Sequence, residues 1–359
     1  MIKNAGLIAV VVIAIIAVSA VASIYALTRT SSTSSSPCDS SSSGSSVAGP
    51  AAADAITLNT PLVTEQPAVI RQASPSPDAT NSSGTVIQVV AAENFWGSLV
   101  KQLGGIRANV TSIVSDPNTD PHEYESNPED ARLITNAQFV IVNGAGYDTW
   151  ALDILSAEST PNQVVLNVQE LINQPVTANP HFWYSPYYTN DTVAAMYRDL
   201  VAIDPADTSY FHQQYANLNA SLWSEYMSLE VEIKNTFGGL PVASTESIFV
   251  YMANATGLDV VSPPAFMQAV AEGNDPPAQS VAQMENLMTG GNSSVRVLVY
   301  NLQTVTPLTE YVKGLAAECG IPTIGVTETI QPPGTTFQAW MQTELNYLYN
   351  ALNQPALAH

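Results

Sequence analysis

The chain has 359 residues, long enough for two lobes of ordinary size with extensions. Only 11% of it is charged, against the roughly 25% usual, and 31 acidic against 10 basic residues leave a formal charge of -21. That balance argues against a nucleic-acid-binding face, which needs basic residues for phosphates, and suits a soluble surface that attracts cations without specifying a site. Residues 5–27 (AGLIAVVVIAIIAVSAVASIYAL) carry no charge. The run covers about 23 positions, enough to cross a ~30 Å hydrocarbon core. A cleaved signal peptide has a shorter apolar region, so the length favours an uncleaved anchor, with residues 1–4 as a cytoplasmic tail. Lys3 and Arg29 flank the run almost symmetrically and do not set its orientation. With or without cleavage, the remainder is expected to be exported.

Residues 28–84 are dominated by Ser, Thr, Pro and Ala, as in SSTSSSPCDSSSSGSS. Such a segment cannot bury enough apolar area to offset its chain entropy, so it reads as a tether. The sequons at Asn81, Asn109, Asn190, Asn219, Asn254 and Asn292 are compatible with export but follow from abundant Ser and Thr. Cysteine is limited to Cys38, in the tether, and Cys319, near a helix end. A bridge between them is weakly supported, and neither lies in a CxxC pair that could bind zinc.

The globular part begins at residue 85. Strands are expected at 85–92 and 108–115, separated by a helix at 95–103. A helix follows from Pro128, with Asn127 as its N-cap and proline in its first turn. Strands at 138–144 and 163–168 flank a helix at 149–156. This alternation implies parallel strands joined by helical crossovers, and gives a first α/β lobe over 85–203.

Over 204–237, Phe211, Tyr215, Leu218, Leu222, Tyr226, Leu229 and Ile233 recur at three- and four-residue steps, with no glycine or proline among them. One helix of about 45 Å, at ~1.5 Å per residue, is the expected rigid connector. The alternation resumes over 238–352: strands at 241–244, 258–262, 295–301 and 322–328, and helices near 247–255, 265–272 and 279–288. One more helix ends near Cys319, the last covers 336–352, and residues 353–359 are a tail. The expected fold is therefore α/β, with two lobes of parallel sheet flanked by helices on either side of the connector.

The 4 histidines divide by context. His359 is terminal, and His212 lies on the connector helix, where a packed or solvated histidine is ordinary. His122, in SDPNTDPHEYESNPED, and His181, in ANPHFWYSP, lie instead in loops of turn-forming residues. Loops beyond the carboxyl ends of parallel strands are where such sheets bind ligands, and neutral imidazole suits a borderline transition metal. Glu246 and Glu328 stand at comparable strand ends in the second lobe. On position alone, Glu246 is equally explained by a favourable helix N-terminus and Glu328 by solvent.

Residues from about 86 to 352 resemble the metal-ion class of solute-binding proteins of ABC importers, the zinc and manganese binders. DPHEYESNPED is similar to that family's Pro-His-x-Tyr-Glu loop and NPHFWYSP to its Asp-Pro-His-x-Trp loop. TESIFVYMANATGL is similar to a segment that carries a ligating His or Glu at the position of Glu246. VLVYNLQT and AAECGIPTIGVTET resemble the last strands, with Glu328 at a ligating acid. The resemblance implies a metal clamped between two lobes by His122, His181, Glu246 and Glu328. It also implies an ABC permease with its cytoplasmic ATPase as partners, no catalysis and a monomer.

Asn179 and Asn301 depart from the family by standing where acids are common, and the histidine-rich loop of many zinc binders is absent. Two imidazoles and two carboxylates would neutralise a divalent ion. Carboxylate in place of a third imidazole shifts preference toward Mn²⁺, with Zn²⁺ next and Fe²⁺ also admitted. A secreted metal-dependent hydrolase and a cell-surface adhesin on the same fold are the competing readings.

Overall fold

The computed structural model describes residues 86–158, 160–290 and 295–354. The expected anchor, the tether with Cys38 and Asn81, Asn292, and the tail with His359 lie outside the described residues. Among the described residues, no helix is long and apolar enough to cross a membrane.

The first lobe alternates as β1 (Ile87–Glu93), α1 (Asn94–Gly104), β2 (Ala108–Val114), α2 (Pro128–Asn136), β3 (Phe139–Val142), α3 (Thr149–Ala157), β4 (Val164–Asn167) and the single turn α4 (Val168–Leu171). Its strands are all parallel, in the order β2-β1-β3-β4. Both faces of β1 are covered, with only Gln88 exposed among its seven residues, as in a sheet flanked by helices on both sides. Asn127 caps α2 by accepting from the Glu129 and Asp130 amides, while the Asp130 side chain accepts from the Asn127 amide.

The chain then enters α5 (Pro186–Ile203), a long helix with no counterpart among the sequence expectations. Its apolar contacts are spread over Thr189, Thr192, Val193, Ala195, Met196 and Leu200, so threonines occupy places where the pattern needs apolar residues. After a 3-10 turn at Pro205–Asp207 come α6 (Thr208–Leu222), a π-helical turn (Trp223–Met227) and α7 (Ser228–Phe237). Together these form one uninterrupted rod, locally widened at the π turn. Phe211, Leu218, Leu222, Tyr226 and Ile233 are buried along it.

The second lobe runs β5 (Pro241–Ser244), α8 (Val250–Thr256), β6 (Asp259–Val260), α9 (Pro264–Ala271), α10 (Ala278–Thr289), β7 (Leu298–Asn301), α11 (Pro307–Glu318), β8 (Thr323–Val326) and α12 (Phe337–Leu352). These strands are also parallel, in the order β6-β5-β7-β8, the same topology as the first sheet. The structure shortens the expected strand at 258–262 to Asp259–Val260 and that at 295–301 to Leu298–Asn301. The flanking apolar residues Leu258, Val295 and Val297 are buried, and Val297 O still accepts from the Ala243 amide of β5 at 2.9 Å.

In each sheet the chain first adds a strand on one side of the first strand and then crosses to the other. The reversal falls between β1 and β3 and again between β5 and β7, and loops leaving such a switch point splay apart into a crevice. One apolar cluster runs through both lobes and the rod, from Phe95 and Trp183 to Leu222, Phe249, Trp340 and Leu345. The ends of β1, β3, β5, β7 and β8 are thereby held against a common core.

Candidate metal centre

His122 is presented by the loop that follows β2. Asp120 caps a 3-10 turn at Pro121–Glu123 by accepting from the His122 amide at 3.0 Å, which fixes the backbone of the ligand candidate. Beyond it, the Tyr124 hydroxyl donates to Asp130 Oδ2 at 2.8 Å, tying the loop to the capping box of α2. His181 sits just before a 3-10 turn at Phe182–Tyr184 and is fully buried. Its Nδ1 lies 2.6 Å from Asn179 Oδ1, which accepts the proton and leaves the Nε2 lone pair directed elsewhere. Asn179 is itself held by donating to Ser247 O at 2.7 Å, so its side chain can fix the orientation of the His181 ring.

Glu328 stands beyond β8 and is fully buried. The Tyr147 hydroxyl donates to its Oε2 at 2.6 Å and the Asn301 amide to its Oε1 at 2.6 Å. At Asn301, an acid would have added a further negative charge; the amide instead supplies a donor. Glu328 Oε2 lies 3.4 Å from His122 Nε2 and 3.9 Å from His181 Nε2. The three ligand atoms all fall within 4.8 Å of one another, and neither Nε2 has a hydrogen-bond partner. Buried polar atoms are nearly always paired, so two unbonded imidazole nitrogens facing one carboxylate form a donor set that could hold a metal ion.

Glu246, in the loop after β5, is outside this three-residue group; both its carboxylate oxygens are buried without a close hydrogen bond, beside the Asn301 and Thr304 side chains. Burial first and the Glu328 charge second push its carboxyl well above the ordinary range. Glu328 is raised by burial too, although the neighbouring His122 offsets part of the effect. His181 is held well below its ordinary value by burial and then by His122, so its imidazole stays neutral and able to ligate. The explanation of Glu246 by a helix N-terminus loses force, since its side chain makes no cap bond, and solvent does not reach Glu328. His212, on α6, is exposed beside Tyr197 and takes no part.

Tyr147, Asp120 and Gln303 belong to the site without having been singled out in the sequence. Tyr147 packs edge-on to His122, with ring centroids 4.8 Å apart, and contacts Trp183 at 5.2 Å. It lies in the loop after β3, where Gly144 adopts φ +77 and a Cβ there would come within 2.5 Å of Asn167 Oδ1. This turn directs the Asn143 and Gly144 amides onto Asp148 at 2.6 and 2.8 Å. The signal available in the sequence was an aromatic residue in a glycine-rich loop, NGAGYD, at a strand's carboxyl end.

Fold and site together define a two-lobed α/β protein with a buried cation-type cluster contributed by both lobes. The profile of the periplasmic zinc-uptake complex component A family matches residues 89–351, and the chain belongs to that family. Among curated relatives, the manganese ABC transporter substrate-binding lipoprotein PsaA of Streptococcus anginosus is 26% identical over 211 residues, 53% of this chain and 65% of that protein. The manganese-binding lipoprotein MntA of Halalkalibacterium halodurans is 27% identical over 192 residues, 51% of this chain and 62% of its own length. The match thus spans slightly less than two thirds of either relative. Among solved structures, the periplasmic zinc binding protein TroA from Treponema pallidum aligns with a TM-score of 0.63 at 17% identity, covering 76% of this chain and all (100%) of that one. The Mn-bound periplasmic metal binding protein from Candidatus Liberibacter asiaticus gives 0.61 at 15% identity, covering 74% and 99%. At such identities these structures establish the shared fold.

Proposed function

We propose that this protein is the extracytoplasmic solute-binding component of an ABC importer. It captures Mn²⁺ or Zn²⁺ between its lobes and delivers the ion to a membrane permease driven by a cytoplasmic ATPase. The observation that carries this reading is the group formed by His122, His181 and Glu328. Two imidazoles from one lobe and a carboxylate from the other converge within 4.8 Å, and both facing Nε2 atoms lack partners.

Glu246 completes the donor set in this reading, since its buried carboxylate makes no close hydrogen bond and would gain a ligand when the cation enters. With two carboxylates the set neutralises a divalent charge, and its hard oxygens place Mn²⁺ ahead of Zn²⁺, with Fe²⁺ admitted by the same chemistry. The rod of α6 and α7 serves as the rigid connector, against which the lobes adjust to the cargo. The protein acts as a carrier, and the ion is its substrate.

The N-terminal apolar segment is the proposed tether to the outer face of the membrane, and the protein works as a monomer. Relatives named as Mn²⁺ lipoproteins support the extracytoplasmic setting and the choice of metal. Equilibrium dialysis with metal analysis tests the whole reading. One equivalent of Mn²⁺ or Zn²⁺ per chain without turnover is the expected result, and metal-dependent hydrolysis of generic esters or phosphoesters would overturn it.

A further inference from the structure

The loop between β2 and His122 is held by the opposite lobe through two glutamine side chains. Gln303, in the loop after β7, donates from Nε2 to Thr119 O at 2.7 Å and to Thr329 Oγ1 at 3.1 Å. Its Oε1 accepts from the Glu328 amide at 2.6 Å and the Thr329 amide at 3.2 Å. Asn301 Oδ1 fixes the Gln303 backbone by accepting from its amide at 2.9 Å. One side-chain amide therefore touches the backbone of a ligand candidate in its own lobe and the loop of another across the junction.

Gln331, further along, donates from Nε2 to Pro117 O at 3.2 Å. The loop is shaped to present these carbonyls: Asp116 Oδ1 accepts from the Asn118 amide at 2.9 Å, and the Thr119 amide returns to Asp116 O at 3.2 Å.

Solvent access decides what this arrangement controls. The side chains of His181 and Glu328 are 0% exposed, whereas that of His122 is 22% exposed. The Nε2 of His122 is itself buried, so the rest of its ring is the part of the group that borders solvent and the His122 loop is its thinnest cover. We propose that Gln303 and Gln331 form an amide clasp between the lobes that holds this loop shut and sets the rate at which the metal leaves. The clasp is a positioning device and rests on the metal-binding reading above. Its bonds join neutral amides to carbonyls, so each is individually weak and the pair can open without separating charges.

The test is stopped-flow release of Mn²⁺ into excess chelator from the full chain, for wild type, Gln331→Ala, Gln303→Ala and the double variant. Gln331→Ala carries the most weight, because Gln331 has no bond to a ligand candidate. It should release metal about fivefold faster and the double variant about 25-fold faster, from the typical worth of one neutral hydrogen bond each. For Gln331→Ala the association rate and the thermal midpoint should stay near wild type, whereas a merely structural role would lower the midpoint and leave the release rate unchanged.

Folded variants that release Mn²⁺ at the wild-type rate would overturn the clasp. Amide hydrogen exchange over residues 115–124 supplies a readout that needs no metal. Faster exchange in the double variant supports the clasp, and unchanged exchange overturns it. Should wild type bind neither Mn²⁺ nor Zn²⁺, the proposed function fails, while the exchange experiment still decides the clasp.

Discussion

The two lobes have the same strand order but present opposite chemistry at corresponding strand ends. The first offers imidazoles, each with an orienting partner: Asp120 on the His122 backbone and Asn179 on the His181 ring. The second offers carboxylates, Glu246 and Glu328, both fully buried. Two buried acids beside each other repel, and burial alone already disfavours their charged forms. In the proposed reading the first lobe supplies imidazole donors and the second supplies charge at a desolvation cost. Neither would make a stable cation site alone, and closure of the lobes would depend on the ion.

The largest way to break this comparison is to remove an imidazole. His181→Ala should cost more than about 100-fold in Mn²⁺ affinity, beyond the 10–100-fold typical of losing an outer partner, and leave the fold intact. Calorimetric titration with circular dichroism checks this, and wild-type affinity in the folded variant would refute the assignment.

A smaller loss is expected from the orienting residue. Asn179→Ala leaves every proposed ligand in place but frees the His181 ring, and should cost about 10–100-fold in affinity. The smallest effect sharpens the contribution of the second lobe. Because burial raises both carboxyls, and the Glu328 charge raises that of Glu246 further, the metal-free site retains a proton that binding must expel. Affinity should then rise by about tenfold per pH unit while pH stays below the raised carboxyl value. His181, held low, adds no proton release over that range. Titrations in buffers of different ionisation enthalpy should show about one proton released per ion.

The alternation of strands and helices was legible because β-branched runs and amphipathic stretches have different periods, and the rod because Phe211, Leu218, Leu222 and Ile233 keep one face for its length. The helix Pro186–Ile203 was not legible, since Thr189 and Thr192 are buried there and blur the apolar stripe. The Thr192 hydroxyl bonds back to Tyr188 O at 2.7 Å, which lets a polar side chain lie inside. His122 and His181 could be picked out by their turn-rich loops at strand ends. Glu246 and Glu328 needed the resemblance, because a carboxylate beside a helix start or in a loop is usually satisfied by dipole or solvent.

By itself, then, the sequence determined the class of fold, the two lobes and the imidazole half of the site, all encoded in local pattern and composition. Tertiary structure alone decided that both carboxylates are buried and that Glu328 is turned toward those imidazoles. It also decided that Tyr147 and Asn301 hold Glu328 from different lobes, and that Gln303 reaches Thr119. Contacts between residues 184 positions apart, as in that last pair, leave no periodic trace in a chain, because they exist only once two sheets have been packed against one core.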